Sequence, residues 1–207
     1  MAASGATLLA AAWRDWAGRL AELDGEAWSR PTRCEGWTVH DLVAHAAPDP
    51  AMVGGLEAPV LPPPATAAVD DAATLLRRFN EPGGVAHEMA DAVAAQAHAA
   101  AEARPAAQLV DDFRACADLV ERMALAPTAV VPHPVVGSVT MGVLTDVSLM
   151  EAAVHLLDLV VAVGGPPPDD ALLAHAAELL VRVVGPARFL DAATGRARCD
   201  TVLPAVR

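Results

Sequence analysis

Leu9, Trp13, Trp16, Leu20 and Leu23 stand three and four residues apart, the step that lines side chains along one face of an α-helix. Stretches with this period recur between proline and glycine breaks, and that punctuation constrains the fold more than any other feature. The pattern predicts a first helix from about Ala6 to Leu23, a turn from Asp24 to Gly36, and a second helix over Val39–Ala47 that Pro48 and Pro50 bend or end. Thr38 reads as its N-cap, with Asp41 three residues later completing a capping box. Helical patterns resume at Val69–Phe79 and Val85–Ala103, separated by Pro82-Gly83-Gly84, and again from Pro105 to about Leu125. Pro59–Pro64 reads as a connection and Pro127–Gly142 as a long loop with room for a short hairpin. The most apolar helix runs from Val143 to Val163 and stops at Gly164-Gly165-Pro166; Asp169 or Asp170 caps a last one to Val184. The chain is 54% hydrophobic, rich in alanine, with only 3% aromatics and no tyrosine. Alanine loses no side-chain entropy in a helix, while the β-branched and aromatic residues that favour strands are scarce outside a few valine runs. The expected fold is all-α, a helix bundle of short antiparallel elements.

A length of 207 residues suits one domain or one domain with an extension. Fourteen basic residues, all arginine, against 26 acidic ones give a net charge of −12 without a long acidic run. That balance disfavours nucleic-acid phosphates and anionic membranes, and no basic cluster opposes it. A mean hydropathy of +0.35 invites a membrane reading, but the strongest apolar stretch, Ala152 to Val163, contains His155 and Asp158. It is shorter than the roughly 18 residues a span requires. Arg14 and Asp15 interrupt the apolar N-terminal run, which argues against a signal peptide. Cys34, Cys116 and Cys199 show neither disulfide nor metal spacing, so a reducing cytoplasm is the expected compartment.

Two acid-x-x-x-His pairs stand out, Asp41/His45 and Glu151/His155. Each pair shares a helix face, one turn apart. Glu151 and His155 lie on the most apolar helix, where an unpartnered charge would be costly. Bundles hold metals with such pairs plus a ligand from another helix. With seven histidines and 26 acids, about one such spacing arises by chance, so a simple i,i+4 pair remains the alternative.

The run Arg30-Pro31-Thr32-Arg33-Cys34-Glu35-Gly36-Trp37-Thr38-Val39-His40-Asp41-Leu42-Val43-Ala44-His45 carries more information than spacing. It resembles the N-terminal signature of the mycothiol-dependent maleylpyruvate isomerase family, within the DinB-like superfamily. The run Glu151-Ala152-Ala153-Val154-His155-Leu156-Leu157-Asp158-Leu159 resembles that family's second hallmark. The likeness covers about residues 6–165. It implies a DinB-like four-helix bundle, here with additional short helices and a short C-terminal extension. Residues 1–165 would form the bundle, and residues 166–207 a helix and tail packed on it. It also implies a divalent metal, usually zinc, held by His45, Glu151 and His155. Three protein ligands leave positions open, as in catalytic zinc sites.

The family further implies a mycothiol-like thiol cofactor, activated at the metal and acting on a small electrophile, with isomerisation or S-transfer as the outcome. Two rivals remain: a thiol-free metal hydrolase or Lewis-acid enzyme, and a non-catalytic binding or stress bundle. Arg188, Arg196 and Arg198 in the tail are candidates for a substrate carboxylate. The tail is too short for the mixed C-terminal domain of larger family members, so contacts supplied there are in question. Trp37 reads as a packing residue, Cys34 as a structural thiol, and Asp158 as either an acceptor behind His155 or a solvated acid. Asp41 reads as a first-turn acid or an orienting group. His40 is off the face of His45, and His87, His98, His133 and His175 read as surface histidines. The partners expected are small molecules, without nucleic acid or membrane; a homodimer is left open.

Overall fold

The structure, a computed structural model, describes residues 4–57, 64–123 and 125–206. Helix α1 (Gly5–Ala21) starts at Ser4, whose hydroxyl accepts from the N–H of Thr7, and buries Leu9, Trp13, Trp16 and Leu20. A 3₁₀ turn at Ala27–Ser29 interrupts the segment expected to be a plain turn. Helix α2 (Val39–Ala46) begins at Thr38 with the predicted capping box: Thr38 Oγ1 accepts from Asp41 N–H, and Asp41 accepts from Thr38 N–H at 2.8 Å. Pro48 and Pro50 do end α2, yet Pro50 is the first residue of a further short helix, α3 (Pro50–Gly55), capped by Asp49. Proline suits that position because the first helical N–H has no partner anyway.

Helix α4 (Ala72–Asn80) follows. The predicted stretch Val85–Ala103 is split into α5 (Val85–Glu88) and α6 (Ala90–Ala103), with Met89 between them. Gly84 turns the chain between α4 and α5, where a Cβ would stand 2.6 Å from the Phe79 carbonyl oxygen. Helix α7 (Ala106–Arg122) leads to the hairpin of β1 (Val130–His133) and β2 (Gly137–Thr140), paired antiparallel with His133 opposite Gly137. Helix α8 (Met141–Val163) follows at once, capped by Thr140. Helix α9 (Asp170–Val184) is capped by Asp169, and the tail then forms α10 (Pro186–Ala193), a helix its composition did not announce. Of the expected Pro59–Pro64 connection, only Pro64 lies among the described residues.

Helices dominate, and the two-stranded hairpin is the only sheet among the described residues. The all-α reading therefore holds. Helix α1 packs between α7 and α8, α2 lies against α6 and α8, and α9 covers α8 and α4. At the centre, Trp16 stacks on Phe113 of α7 with ring centroids 5.1 Å apart, and its indole N–H donates to the Ala152 carbonyl of α8 at 3.3 Å. One residue thus fixes three helices, using the apolar body and polar handle that tryptophan combines. Arg19 reaches past the end of α8 to donate to the carbonyls of Pro166 and Pro167. No helix among the described residues is long and apolar enough to cross a membrane.

Thr38 holds the helix that carries His45, so Thr38→Ala should lower unfolding stability by about 1 kcal/mol, with Thr38→Ser largely restoring it. Urea denaturation of the three proteins measures this.

Candidate metal centre

The loop between the 3₁₀ turn and α2 is closed by its own backbone. Thr32 N–H donates to the Trp37 carbonyl at 2.9 Å, Trp37 N–H to the Cys34 carbonyl at 3.0 Å, and Val39 N–H to the Arg30 carbonyl at 2.9 Å. Gly36, with φ of 79°, supplies the left-handed residue this tight reversal needs. The closed loop sets Trp37 against His45, ring centroids 4.9 Å apart, and directs Arg33 and Cys34 toward α8.

On α8, Glu151 and His155 share a face one turn apart, with Glu151 Oε2 3.2 Å from His155 Nε2. The His45 ring stands edge-on to the His155 ring, centroids 5.1 Å apart. One side-chain donor atom from each of His45, Glu151 and His155 lies within 4.8 Å of the other two. Two imidazoles and a carboxylate at this separation form a donor set that can hold a divalent cation.

Behind His155 stands Asp158, only 4% exposed. Its Oδ2 accepts from His155 Nδ1 at 2.8 Å, its Oδ1 from Arg33 Nε, and the Cys34 thiol lies 3.6 Å from Oδ2. A carboxylate bonded to Nδ1 fixes the tautomer that leaves Nε2 facing Glu151 and His45, as carboxylate–histidine pairs do behind metals. Cys34, His155 and Asp158 also form a compact donor group. In it the Nδ1–Asp158 hydrogen bond is already made, so Nε2 and the first group offer the more open position.

The two histidines differ in basicity. Burial works against the charged form of His155, but its hydrogen bonds with Asp158, Cys34 and Glu151 outweigh it and raise its pKa to about 11. His45 is shifted the other way, first by burial and then by the charge of His155, with Glu151 opposing. Without a cation the site therefore holds a neutral His45 beside a protonated His155. Asp158 stays ionised, since His155 and Arg33 overcome the effect of its burial.

His45 also borders a cavity of about 830 Å³, walled by α1, α2, α3, α6, α7, the hairpin and the first half of α8; Glu151 and His155 do not line it. Neither Arg188 nor Arg196 lines it either. Arg188 donates to the Thr201 carbonyl at 3.1 Å, Arg196 is exposed, and Arg198 pairs with Asp200. Asp41 caps α2 and pairs with His98 of α6 at 2.9 Å, so His98 has a partner rather than being a bare surface histidine. His40 bonds the Arg104 carbonyl at 2.9 Å, and His175 faces Asp146 at 3.2 Å. His87 lies 3.4 Å from the Asn80 carbonyl on the surface. Arg33 is the participant that spacing does not reveal: it meets Asp158 across 125 positions of sequence.

The family model described as mycothiol maleylpyruvate isomerase N-terminal domain matches residues 9–160. No curated protein and no solved structure matches the chain significantly.

Asp158→Asn keeps the shape but weakens the acceptor behind His155, and zinc affinity should fall about 10- to 100-fold in a chelator competition. The elevated pKa of His155 gives a second expectation. Its stabilising effect on metal-free protein is present below pH 6.5 and is lost as pH rises toward about 11. A cation bound at Nε2 would compete with that proton, so the melting-temperature gap between zinc-saturated and EDTA-treated protein should widen as pH rises from 6.5. A gap independent of pH would contradict this protonation scheme.

Proposed function

The chain belongs to the mycothiol maleylpyruvate isomerase N-terminal domain family, and from that premise we propose that it is a metal-dependent enzyme that uses a low-molecular-weight, mycothiol-like thiol to isomerise or S-conjugate a small electrophile. His45, Glu151 and His155 would hold the divalent ion, with zinc the expected metal for two imidazoles and a carboxylate. The observation that carries the reading is the convergence of these three donors, from α2 and α8, beside a cavity large enough for a small molecule. When bound, such an ion supplies Lewis acidity that favours the ionised form of a thiol reaching its open side.

The remaining contributions come from the chain itself. Asp158 orients His155 and keeps its Nδ1 occupied, so Nε2 alone faces Glu151 and His45. Arg33 compensates the Asp158 charge, which would otherwise be buried beside only one cation. Trp37 restricts the His45 ring from one side. Leu9, Trp13 and Leu144 give the adjoining cavity apolar walls that keep water away from a reacting carbon. A reducing cytoplasm suits both the three free cysteines and a thiol cofactor. Cys116 is no rival nucleophile: burial, then Asp112 and Asp49, push its thiol up to about 12.

The test is metal content by mass spectrometry on untagged protein, parent and His155→Ala, followed by calorimetric titration with mycothiol. The expected result is about one zinc per chain, lost in the variant, and mycothiol binding that disappears after EDTA treatment. A folded parent with no metal would remove the catalytic reading. Zinc without metal-dependent mycothiol binding would favour a thiol-free, Lewis-acid reaction instead.

A further inference from the structure

His133 closes β1 and is held through one nitrogen. Its Nδ1 accepts from the N–H of Val135 at 3.2 Å and lies 3.4 Å from the N–H of Val136. A nitrogen that accepts carries no proton, so the neutral ring bears its hydrogen on Nε2. Burial lowers the pKa of His133, which favours that neutral ring. Nε2 has no partner among the described residues, and it is not sealed from solvent. His133 lines the same cavity that His45 borders.

The charged groups of that cavity are arranged unfavourably for anions. Asp49 and Asp112 both line it, and Arg104 is its only arginine among the described residues. Arg104 is already committed: Nη2 donates to the Ala44 carbonyl at 2.5 Å and Nη1 to Asp112 at 3.5 Å. Most of the other lining is apolar, including Trp13, Val53, Leu56, Met141 and Leu144. In the metal-free protein an incoming dicarboxylate would meet Asp49 and an Arg104 already paired with Asp112, whereas an uncharged oxygen acceptor would find a donor with a fixed tautomer.

We propose that this cavity takes a small, mainly apolar molecule bearing an uncharged carbonyl or amide oxygen, which accepts from His133 Nε2–H, and that it discriminates against dicarboxylates. That the occupant is the substrate rests on the function proposed above; its recognition does not require the metal. His133 is therefore a specificity-determining residue, at the hairpin rather than in the two sequence motifs.

The test is calorimetric titration of the full chain, both EDTA-treated and zinc-loaded, with cinnamamide and with maleate as probes. His133→Asn is the informative variant, because its side-chain oxygen can replace Nδ1 as acceptor for the hairpin while nothing replaces Nε2–H. Cinnamamide should bind the metal-free parent and lose about 5- to 10-fold in affinity in His133→Asn, the scale of one neutral hydrogen bond. Maleate should bind the metal-free parent at least tenfold more weakly than cinnamamide. His133→Ala, which loses both contacts, should also melt at a lower temperature than His133→Asn. The proposal is overturned if cinnamamide fails to bind at millimolar concentration, if His133→Asn binds it like the parent, or if maleate binds equally well. A protein that takes up no zinc but binds cinnamamide through His133 would sink the proposed function alone. Zinc uptake with His133-independent binding would sink this inference alone.

Discussion

The buried carboxylate of Asp158 is the constraint around which the candidate centre is built. An ionised carboxylate removed from water is tolerated only when its oxygens are matched by donors. Here those donors come from two places: His155 one turn earlier on α8, and Arg33 with Cys34 from the loop before α2. Satisfying Asp158 therefore does two things at once. It docks the Arg30–Thr38 loop onto α8, and it turns His155 so that Nε2 faces Glu151 and His45. Because α2 begins where that loop ends, His45 is brought to its place by the same contact.

The geometry also sets an electrostatic order. Two imidazoles this close disfavour a second positive charge, and their environments decide which one carries the proton. Asp158 and Glu151 place it on His155, leaving His45 neutral. A cation held between them would replace one proton and need no change in the charge of His45. Beyond His45 the surroundings change character, to a cavity whose lining is mostly apolar and includes His133. The three-donor cluster and the cavity are thus adjacent rather than superposed, and His45 is the residue they share.

Much of this was legible in the order of residues because helices and their caps are local. Leu9, Trp13, Trp16 and Leu20 do form the buried face of α1, Thr38 and Asp41 do make the capping box, and the hairpin does fall between Pro127 and Gly142. Errors came where the local signal is weak. Helix α3 hid behind two prolines that read as a stop, although one of them starts it. Met89 splits a continuous alanine-rich pattern, and α10 has only two turns in a tail dense with exposed residues. Short helices draw little on propensity and much on what they pack against.

The sequence by itself determined the helical character of the chain, its capping signals, the pairing of Glu151 with His155, and the two motifs that mark its family. All of these depend on spacings of one or two turns, within which backbone geometry alone dictates what shares a face. Only the tertiary structure decided that His45 meets that pair, that Arg33 answers Asp158, and that His133 lines the same cavity as His45. Contacts between residues far apart in sequence depend on how whole elements pack, and no local period encodes that. The arginines illustrate the difference. In sequence Arg188, Arg196 and Arg33 are alike as cations, but packing leaves the first two in the tail and sets the third against the buried acid.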